Sequence, residues 1–185
     1  MEWQHYLPTL VLLLVAAASA ALAIYAWRSS TASWARAYAI MMETVTWWEL
    51  ISTIQLTNSD LDSRLVWVNL NESSPSNAIA VEWLVFVLLY TNRQHWVTRR
   101  RVLLLLVVPL LSALAAWTNP LHHLHHTDVS LEVAGPFVAM RLTNGPVLWL
   151  QLVYSYALVV VGVALLVHSA AHWAQPYRFI AASGA

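Results

Sequence analysis

Long apolar stretches separated by short polar segments dominate the chain. A transmembrane helix needs about 20 mostly apolar residues. On that criterion the pattern predicts five membrane spans, at residues 7–27, 33–57, 65–90, 102–117 and 146–168. We therefore predict an all-α fold class, a polytopic transmembrane helix bundle that forms one integral membrane domain over residues 1–185.

Two of the predicted spans contain interruptions. Polar residues 71–77 divide the third span, and we expect one long helix bent near Pro75, because proline cannot donate a backbone hydrogen bond. The polar outer end of this helix should be buried against protein rather than lipid. The fourth span contains Pro109, which predicts a second kink.

The first span contains a run of small residues from Ala16 to Ala21. Small residues allow helix backbones to approach closely, so this run favours tight packing on a neighbouring helix. A cleaved signal peptide ending at Ala18-Ser19-Ala20 is the competing interpretation. Such a peptide begins with a cationic region, whereas residues 1–6 contain Glu2 and no Arg or Lys.

The arginines predict the orientation of the spans. Seven of the nine lie after the first, third and fifth spans: Arg28, Arg36, Arg93, Arg99, Arg100, Arg101 and Arg178. Arg64 and Arg141 lie on the other side. Because cytoplasmic segments carry the excess of positive charge, the N-terminus should be outside and the C-terminus inside. This predicts a multi-pass protein of the cytoplasmic (inner) membrane.

The longest connection is the outer loop 118–145, between the fourth and fifth spans. Within it, residues 129–133 and 137–142 alternate weakly between apolar and polar side chains. Two short alternating segments separated by a Gly-Pro pair are typical of a hairpin. We therefore predict a short hairpin that turns at Gly135-Pro136.

Composition excludes several classes of protein. Charged residues make up 10% of the chain and hydrophobic residues 59%, whereas a soluble domain has about 25% charged residues. The absence of cysteine excludes disulfides, thiolate metal sites and covalently attached c-type haem. Zero net charge and the lack of lysine argue against nucleic acid as a partner. The lipid bilayer is therefore the first predicted partner.

Two acidic residues, Glu43 and Glu82, lie deep within predicted spans. Charge at that depth is costly, so these buried carboxylates should face the interior of the bundle. Three interpretations remain open for them. They are neutral groups hydrogen-bonded between helices, they handle a ligand or protons, or they contact a partner subunit.

A second group of residues lies nearer the outer surface and combines acidic, amide and aromatic side chains. Its members are Glu49, Glu72, Trp149, Gln151 and Tyr154. Such a combination in an outward-opening cleft would bind a small or cationic ligand. The alternative is that the aromatic side chains simply fill the membrane interface.

A histidine run in the outer loop is the strongest metal signal. Its members are His122, His123, His125 and His126. On a helix, residues three or four apart share a face, and two such imidazoles can begin a zinc or copper site. Asp128 or Glu132 would supply a further ligand. A partly titrating surface segment and a pH sensor are the other interpretations.

Other chemistry is not indicated. His122 and His168 are predicted on opposite sides of the membrane, which does not favour a haem held between them. The sequence identifies no cofactor. Because no nucleophile and base can be paired in any motif, we expect the protein not to be an enzyme.

Three short motifs carry a family resemblance. Tyr90-Thr91-Asn92-Arg93 is similar to Tyr-Thr-Gly-Arg, and the segment 117–122 ends like Thr-Asn-Pro-x-His. Gly145-Pro146, Trp149 and Tyr154-Ser155-Tyr156 are similar to Gly-Pro-x-x-Trp followed by Tyr-Ser-Tyr. In this order the motifs resemble the seven-helix N-terminal sensor region of bacterial and archaeal membrane histidine kinases, over residues 33–178. Asn92 departs from the pattern, which has Gly there.

The resemblance implies a non-enzymatic sensory module that detects an extracellular or membrane-borne signal. Helices six and seven, the phosphoacceptor histidine and the kinase domain of such proteins are not found in the sequence. The module would therefore act through a protein partner. One alternative is an accessory or structural subunit of a larger membrane complex, for example photosynthetic or respiratory. The other is a metal- or proton-handling membrane protein.

Overall fold

A computed structural model describes residues 3–57, 61–134 and 137–173. Its helices are α1 (Trp3–Ser29), α2 (Ser33–Thr57), α3 (Leu61–Ser73), α4 (Ile79–Tyr90), α5 (Arg99–Leu105), α6 (Val107–Trp117), α7 (Asn119–His122) and α8 (Pro146–Trp173). The strands are β1 (His126–Ala134) and β2 (Phe137–Asn144). The predicted all-α transmembrane bundle is confirmed as the fold class.

Among the described residues, three helical stretches are long and apolar enough to cross a membrane: Leu7–Ser29, Arg99–Trp117 and Pro146–Ala171. The bent pair Ser63–Ser73 and Ser76–Tyr90 gives a fourth if it is taken as one span. The 25-residue helix α2 is not among them. The five-span topology and its orientation stay a prediction.

The predicted bend near Pro75 is confirmed. α3 and α4 meet at 43°, and a short 3-10 turn, Pro75–Ala78, connects them. Ser74 caps this turn by accepting a hydrogen bond from the amide of Ser76. The capping hydroxyl and the proline favour a new helical turn here over continuation of α3.

The helix of the predicted fourth span is interrupted one turn before Pro109. Because Pro109 has no amide hydrogen, the carbonyl of Leu105 loses the donor that a regular helix would provide. The chain breaks at Leu106, between α5 and α6. The hydroxyl of Tyr154 on α8 donates to the Leu105 carbonyl at 2.7 Å, so the missing backbone bond is replaced by a bond between helices.

The core of the bundle lies where α4 packs against α8. It is formed by Ala80, Val81, Leu84 and Leu158. Gly162 allows the two helices to approach, because a Cβ atom at this position would overlap the indole of Trp83. The core therefore fixes the position of α4, which carries Glu82.

Small residues join α1 to α2, as predicted. Ala16, Ser19 and Ala26 are buried, and they lie on one face of α1 at helical spacing. On α2, Ala35 and Ala39 are also buried. This packing brings α1 close to the helix that carries Glu43 and Glu49.

The predicted hairpin is confirmed. β1 and β2 are antiparallel, with Val129 opposite Leu142 and Ala134 opposite Phe137. The predicted turn residues, 135 and 136, lie outside the described part of the chain. The register is irregular between His126 and Asp128, which is where the hairpin joins the histidine run.

Candidate functional site

One asparagine side chain organises the backbone of the histidine run. Asn119 begins the single-turn helix α7 directly after α6. Its Oδ1 accepts hydrogen bonds from the amides of His125 and His126 at 2.9 and 3.0 Å. Its Nδ2 donates to the carbonyl of His126 at 2.9 Å. Asn119 therefore fixes the positions from which two imidazoles project.

The start of α8 holds the same turn from the other side. The amide of Gly145 donates to the carbonyl of His125 at 2.7 Å. A Cβ atom at Gly145 would overlap the carbonyl of Leu124, so a residue without a side chain is needed at this contact. His123 has a φ of 52°, and this left-handed residue ends α7 and turns the chain toward β1.

Two histidines of the run meet a carboxylate from α3. Nε2 of His126 lies 3.1 Å from each oxygen of Glu72. Nδ1 of His125 lies 3.3 Å from Oε2 of the same carboxylate. One nitrogen of each imidazole and one carboxylate oxygen lie within 4.8 Å of one another. We call Glu72, His125 and His126 the Glu–His cluster.

The cluster is largely shielded from solvent. His125 is 0% exposed and His126 3%, while the Glu72 side chain keeps 22% of its surface. Burial lowers the pKa of His125, an effect that the charge of Glu72 opposes. Nε2 of His125 lies 3.2 Å from the hydroxyl of Ser112 on α6. A neutral imidazole with one nitrogen directed at Ser112 keeps its other nitrogen for the cluster.

The predicted metal residues therefore separate into two pairs. The helical spacing is not realised, because α7 ends at His122 and β1 begins at His126. His122 Nε2 lies 2.9 Å from the Thr118 hydroxyl, and its Nδ1 accepts from the amide of Leu124. His123 is exposed. Only His125 and His126 enter the cluster.

The acidic residue of the cluster is neither of the two that were predicted from the outer loop. Asp128 is exposed and lies outside the cluster, and the side chain of Glu132 is not among those described. Glu72 occupies that place instead. Its partners are more than 50 residues away in sequence, and no local pattern around Glu72 indicates them.

The five residues predicted to bind a ligand have different neighbours. The side chain of Gln151 donates a hydrogen bond to the carbonyl of Asn77 at 2.9 Å. The Tyr154 hydroxyl donates to the carbonyl of Leu105. Trp149 is 58% exposed, whereas Glu49 is buried. Since Glu72 belongs to the Glu–His cluster, the described chain does not join these side chains into one site.

A cavity of about 830 Å³ lies between α2, α3 and α4. The residues that line it are Ile40, Glu43, Thr44, Thr46, Trp47, Leu50, Leu70, Ser73, Ser74 and Glu82. The Thr44 hydroxyl donates to Oε1 of Glu82 at 3.1 Å, while Oε2 of Glu82 has no hydrogen-bond partner among the described residues. The two carboxylates predicted to be deep therefore share one cavity, and their three interpretations remain open.

Comparison with known families matches residues 11–182 to the N-terminal 7TM region of histidine kinase. The chain belongs to this family. That region of histidine kinases is a non-catalytic membrane input domain. No curated protein and no solved structure matches the chain.

The motifs that resemble this family have structural roles in the described chain. Asn119 organises the histidine turn, Gly145 packs against it, and Tyr154 replaces the bond that Pro109 removes. Asn92, where the pattern has Gly, has a φ of 58°. Asparagine tolerates this left-handed conformation, which lets the amide of Arg93 bond the Leu88 carbonyl and end α4.

Proposed function

We propose that this protein is a non-enzymatic sensory module of the cytoplasmic membrane that binds a small organic cation and signals through a protein partner. The family match over residues 11–182 is the observation that carries the sensory part of the proposal. Membership in a family of input regions favours it over an accessory subunit of a photosynthetic or respiratory complex.

The cavity between α2, α3 and α4 supports the proposed class of ligand. Glu43 and Glu82 provide two acidic groups, and Oε2 of Glu82 lacks a hydrogen-bond partner among the described residues. Trp47 lines the same cavity, and an indole face attracts organic cations. A bound cation would neutralise acidic groups that are costly to leave charged among apolar helices.

Choline is a suitable probe for this proposal, because it is small, permanently charged and free of acidic groups. Calorimetric titration of the full chain in phosphatidylglycerol nanodiscs, which contain no amine headgroups, should give saturable binding. We expect Glu82→Gln to weaken it by about tenfold or more, which corresponds to about 1.4 kcal/mol. Glu49→Gln is the matched control, because Glu49 is a buried carboxyl of α2 that does not line the cavity.

Two results would contradict the proposed ligand class. One is the absence of saturable choline binding by the unaltered chain. The other is an equal loss of binding in Glu82→Gln and Glu49→Gln, since that would assign the effect to general damage rather than to the cavity.

The partner is tested by isolating the chain in mild detergent from membranes of its own host. A sensory module should copurify with a protein that carries a kinase or another signalling output domain. Recovery within a photosynthetic or respiratory complex would instead support the accessory-subunit alternative.

The proposed orientation can be tested without background labelling, because the sequence contains no cysteine. Ser29→Cys and Gln94→Cys should be protected from a membrane-impermeant thiol reagent in intact cells. Thr127→Cys should react, since it lies in the loop predicted to be outside. All three side chains are at least partly accessible in the described chain. The reverse labelling pattern would contradict an outside N-terminus.

A further inference from the structure

The structure points to a metal site that is separate from the cavity. We propose that Glu72, His125 and His126 bind one divalent transition-metal ion of the zinc class. The inference does not rest on the proposed function, because it uses other residues and a different type of ligand.

The spacing of the ligand atoms fits such an ion. Zinc binds imidazole nitrogen and carboxylate oxygen at about 2.0–2.1 Å, so neighbouring ligand atoms of a tetrahedral site stand roughly 3.3 Å apart. The Glu72 oxygens lie 3.1 Å from His126 Nε2, and Oε2 lies 3.3 Å from His125 Nδ1. One nitrogen of each imidazole and one oxygen of Glu72 all lie within 4.8 Å of one another.

The surroundings prepare His125 as a ligand. Its Nδ1 is buried, faces Glu72 and has no hydrogen bond among the described residues. The tautomer in which Nε2 donates to Ser112 leaves the lone pair on Nδ1. Metal-binding histidines usually donate their other nitrogen in this way, which fixes the tautomer and the ring orientation. Burial disfavours the charged form of His125, and metal binds the neutral form of imidazole.

Hydrogen bonding to Glu72 does not account for both imidazoles. Nε2 of His126 is hydrogen-bonded to Glu72, but Nδ1 of His125 has no hydrogen bond among the described residues. A pair of protonated histidines is also unfavourable. Glu72 carries at most one negative charge, yet both imidazoles direct a nitrogen toward it. Their ring centroids are 4.6 Å apart, so two imidazolium groups would repel each other. A divalent cation between the three groups attracts the carboxylate and accepts both lone pairs.

The donor set also narrows the choice of ion. Two imidazole nitrogens and one carboxylate oxygen suit zinc and the neighbouring late transition metals, whereas calcium and magnesium prefer oxygen ligands alone. Three protein ligands leave a fourth position for water or another small ligand. The ion would join α3 to the segment between α6 and β1.

The test measures zinc bound to the full chain in nanodiscs, purified with a tag that contains no histidine. Equilibrium dialysis should give one zinc ion per chain. Glu72→Gln and His126→Gln should each abolish binding at the zinc concentration that saturates the unaltered chain. Ser112→Ala should weaken it by roughly 10–100-fold, because Ser112 orients a ligand and does not contact the ion.

His123→Gln is the matched control, since it removes an exposed histidine of the same run without touching the cluster. It should bind zinc like the unaltered chain. Loss of binding in His123→Gln, retention in His126→Gln, or no zinc in the unaltered chain would each overturn the proposal. The last result would favour a pH-sensitive histidine pair.

A second measurement needs no variant, so it is independent of whether a variant folds. Cobalt substituted into the unaltered chain should give visible absorption bands typical of four-coordinate cobalt. X-ray absorption of the zinc form should show two imidazoles and an oxygen donor. A six-coordinate spectrum with oxygen ligands alone would indicate surface binding and contradict the assigned site.

Discussion

Glu72 and Glu82 flank the same helix break, yet they have different surroundings. Glu72, at the end of α3, faces two imidazoles that a short turn presents. Glu82, on α4, receives one hydroxyl hydrogen bond from α2 and faces a cavity. The first carboxylate is held by a polar network built on backbone bonds. The second depends on how three apolar helices pack.

The difference shows how each kind of environment is made. The Glu–His cluster needs Asn119 and Gly145, which shape the backbone of the histidine turn. The environment of Glu82 needs no turn, because Thr44 and Glu82 project from neighbouring helices. Substitutions of the residues that shape the histidine turn should therefore have the largest effects. Substitutions of single side chains around Glu82 should have smaller, local effects.

Asn119→Ala should produce the largest effect, because it removes three hydrogen bonds to the histidine turn. At about 1 kcal/mol for each net bond, the free energy of unfolding should fall by about 3 kcal/mol. Denaturation in detergent micelles measures this change. Asn69→Ala is the control, since the Asn69 side chain forms no hydrogen bond within the described residues. Equal losses in both variants would contradict the role of Asn119.

Gly145→Ala should be the next most damaging change. Its Cβ would overlap the Leu124 carbonyl, which is backbone and cannot rotate away, so we expect a loss of about 2 kcal/mol. Gly162→Ala sharpens the comparison, because its Cβ meets the Trp83 side chain, which can shift. Thermal unfolding should show the smaller loss for Gly162→Ala, and the opposite order would be inconsistent with a rigid turn.

Tyr154→Phe should lower the free energy of unfolding by about 1–2 kcal/mol, because it leaves the Leu105 carbonyl without its donor. The double variant Tyr154→Phe/Pro109→Ala tests whether the lost donor to the Leu105 carbonyl is the cause. Alanine restores the amide that bonds Leu105, so the two changes should be less than additive. Tyr156→Phe, at a 69% exposed residue, should have no measurable effect. If the two losses in the free energy of unfolding were strictly additive, the Tyr154 hydroxyl would not be replacing the amide donor that Pro109 lacks.

Thr44→Val should have the smallest effect, about 1 kcal/mol, since it removes one hydrogen bond to Glu82. Thr46→Val is a close control, because the Thr46 hydroxyl bonds only the Met42 carbonyl of its own helix in the described chain. Both residues line the cavity. If Thr46→Val cost as much as Thr44→Val, the link between α2 and α4 would contribute nothing of its own.

The apolar pattern was sufficient to predict the fold class and the bounds of several helices. The predicted bounds of the second span match α2, and the fifth span begins at Pro146 as predicted. The bend at Pro75 and the hairpin also follow from local preferences. The position of the interruption in the fourth span does not, because Pro109 removes the donor for a carbonyl four residues earlier, and the break at Leu106 therefore precedes the proline.

The Glu–His cluster could be predicted only in part. The histidine run indicated metal chemistry, but helical spacing selected pairs that the chain does not form. Asn119 and the left-handed His123 end the helix and place two adjacent histidines together. The acidic partner follows from packing of α3 beside α6, and hydrophobic periodicity alone does not specify which faces of two helices meet.

The hydrogen bond from Tyr154 to the Leu105 carbonyl affects which substitutions related proteins can tolerate. A relative that loses the proline at position 109 regains an amide for that carbonyl, and its tyrosine hydroxyl then has no such role. A relative that keeps the proline but loses the hydroxyl has an unsatisfied carbonyl in its core. We therefore expect positions 109 and 154 to covary across the family, although they lie on different helices.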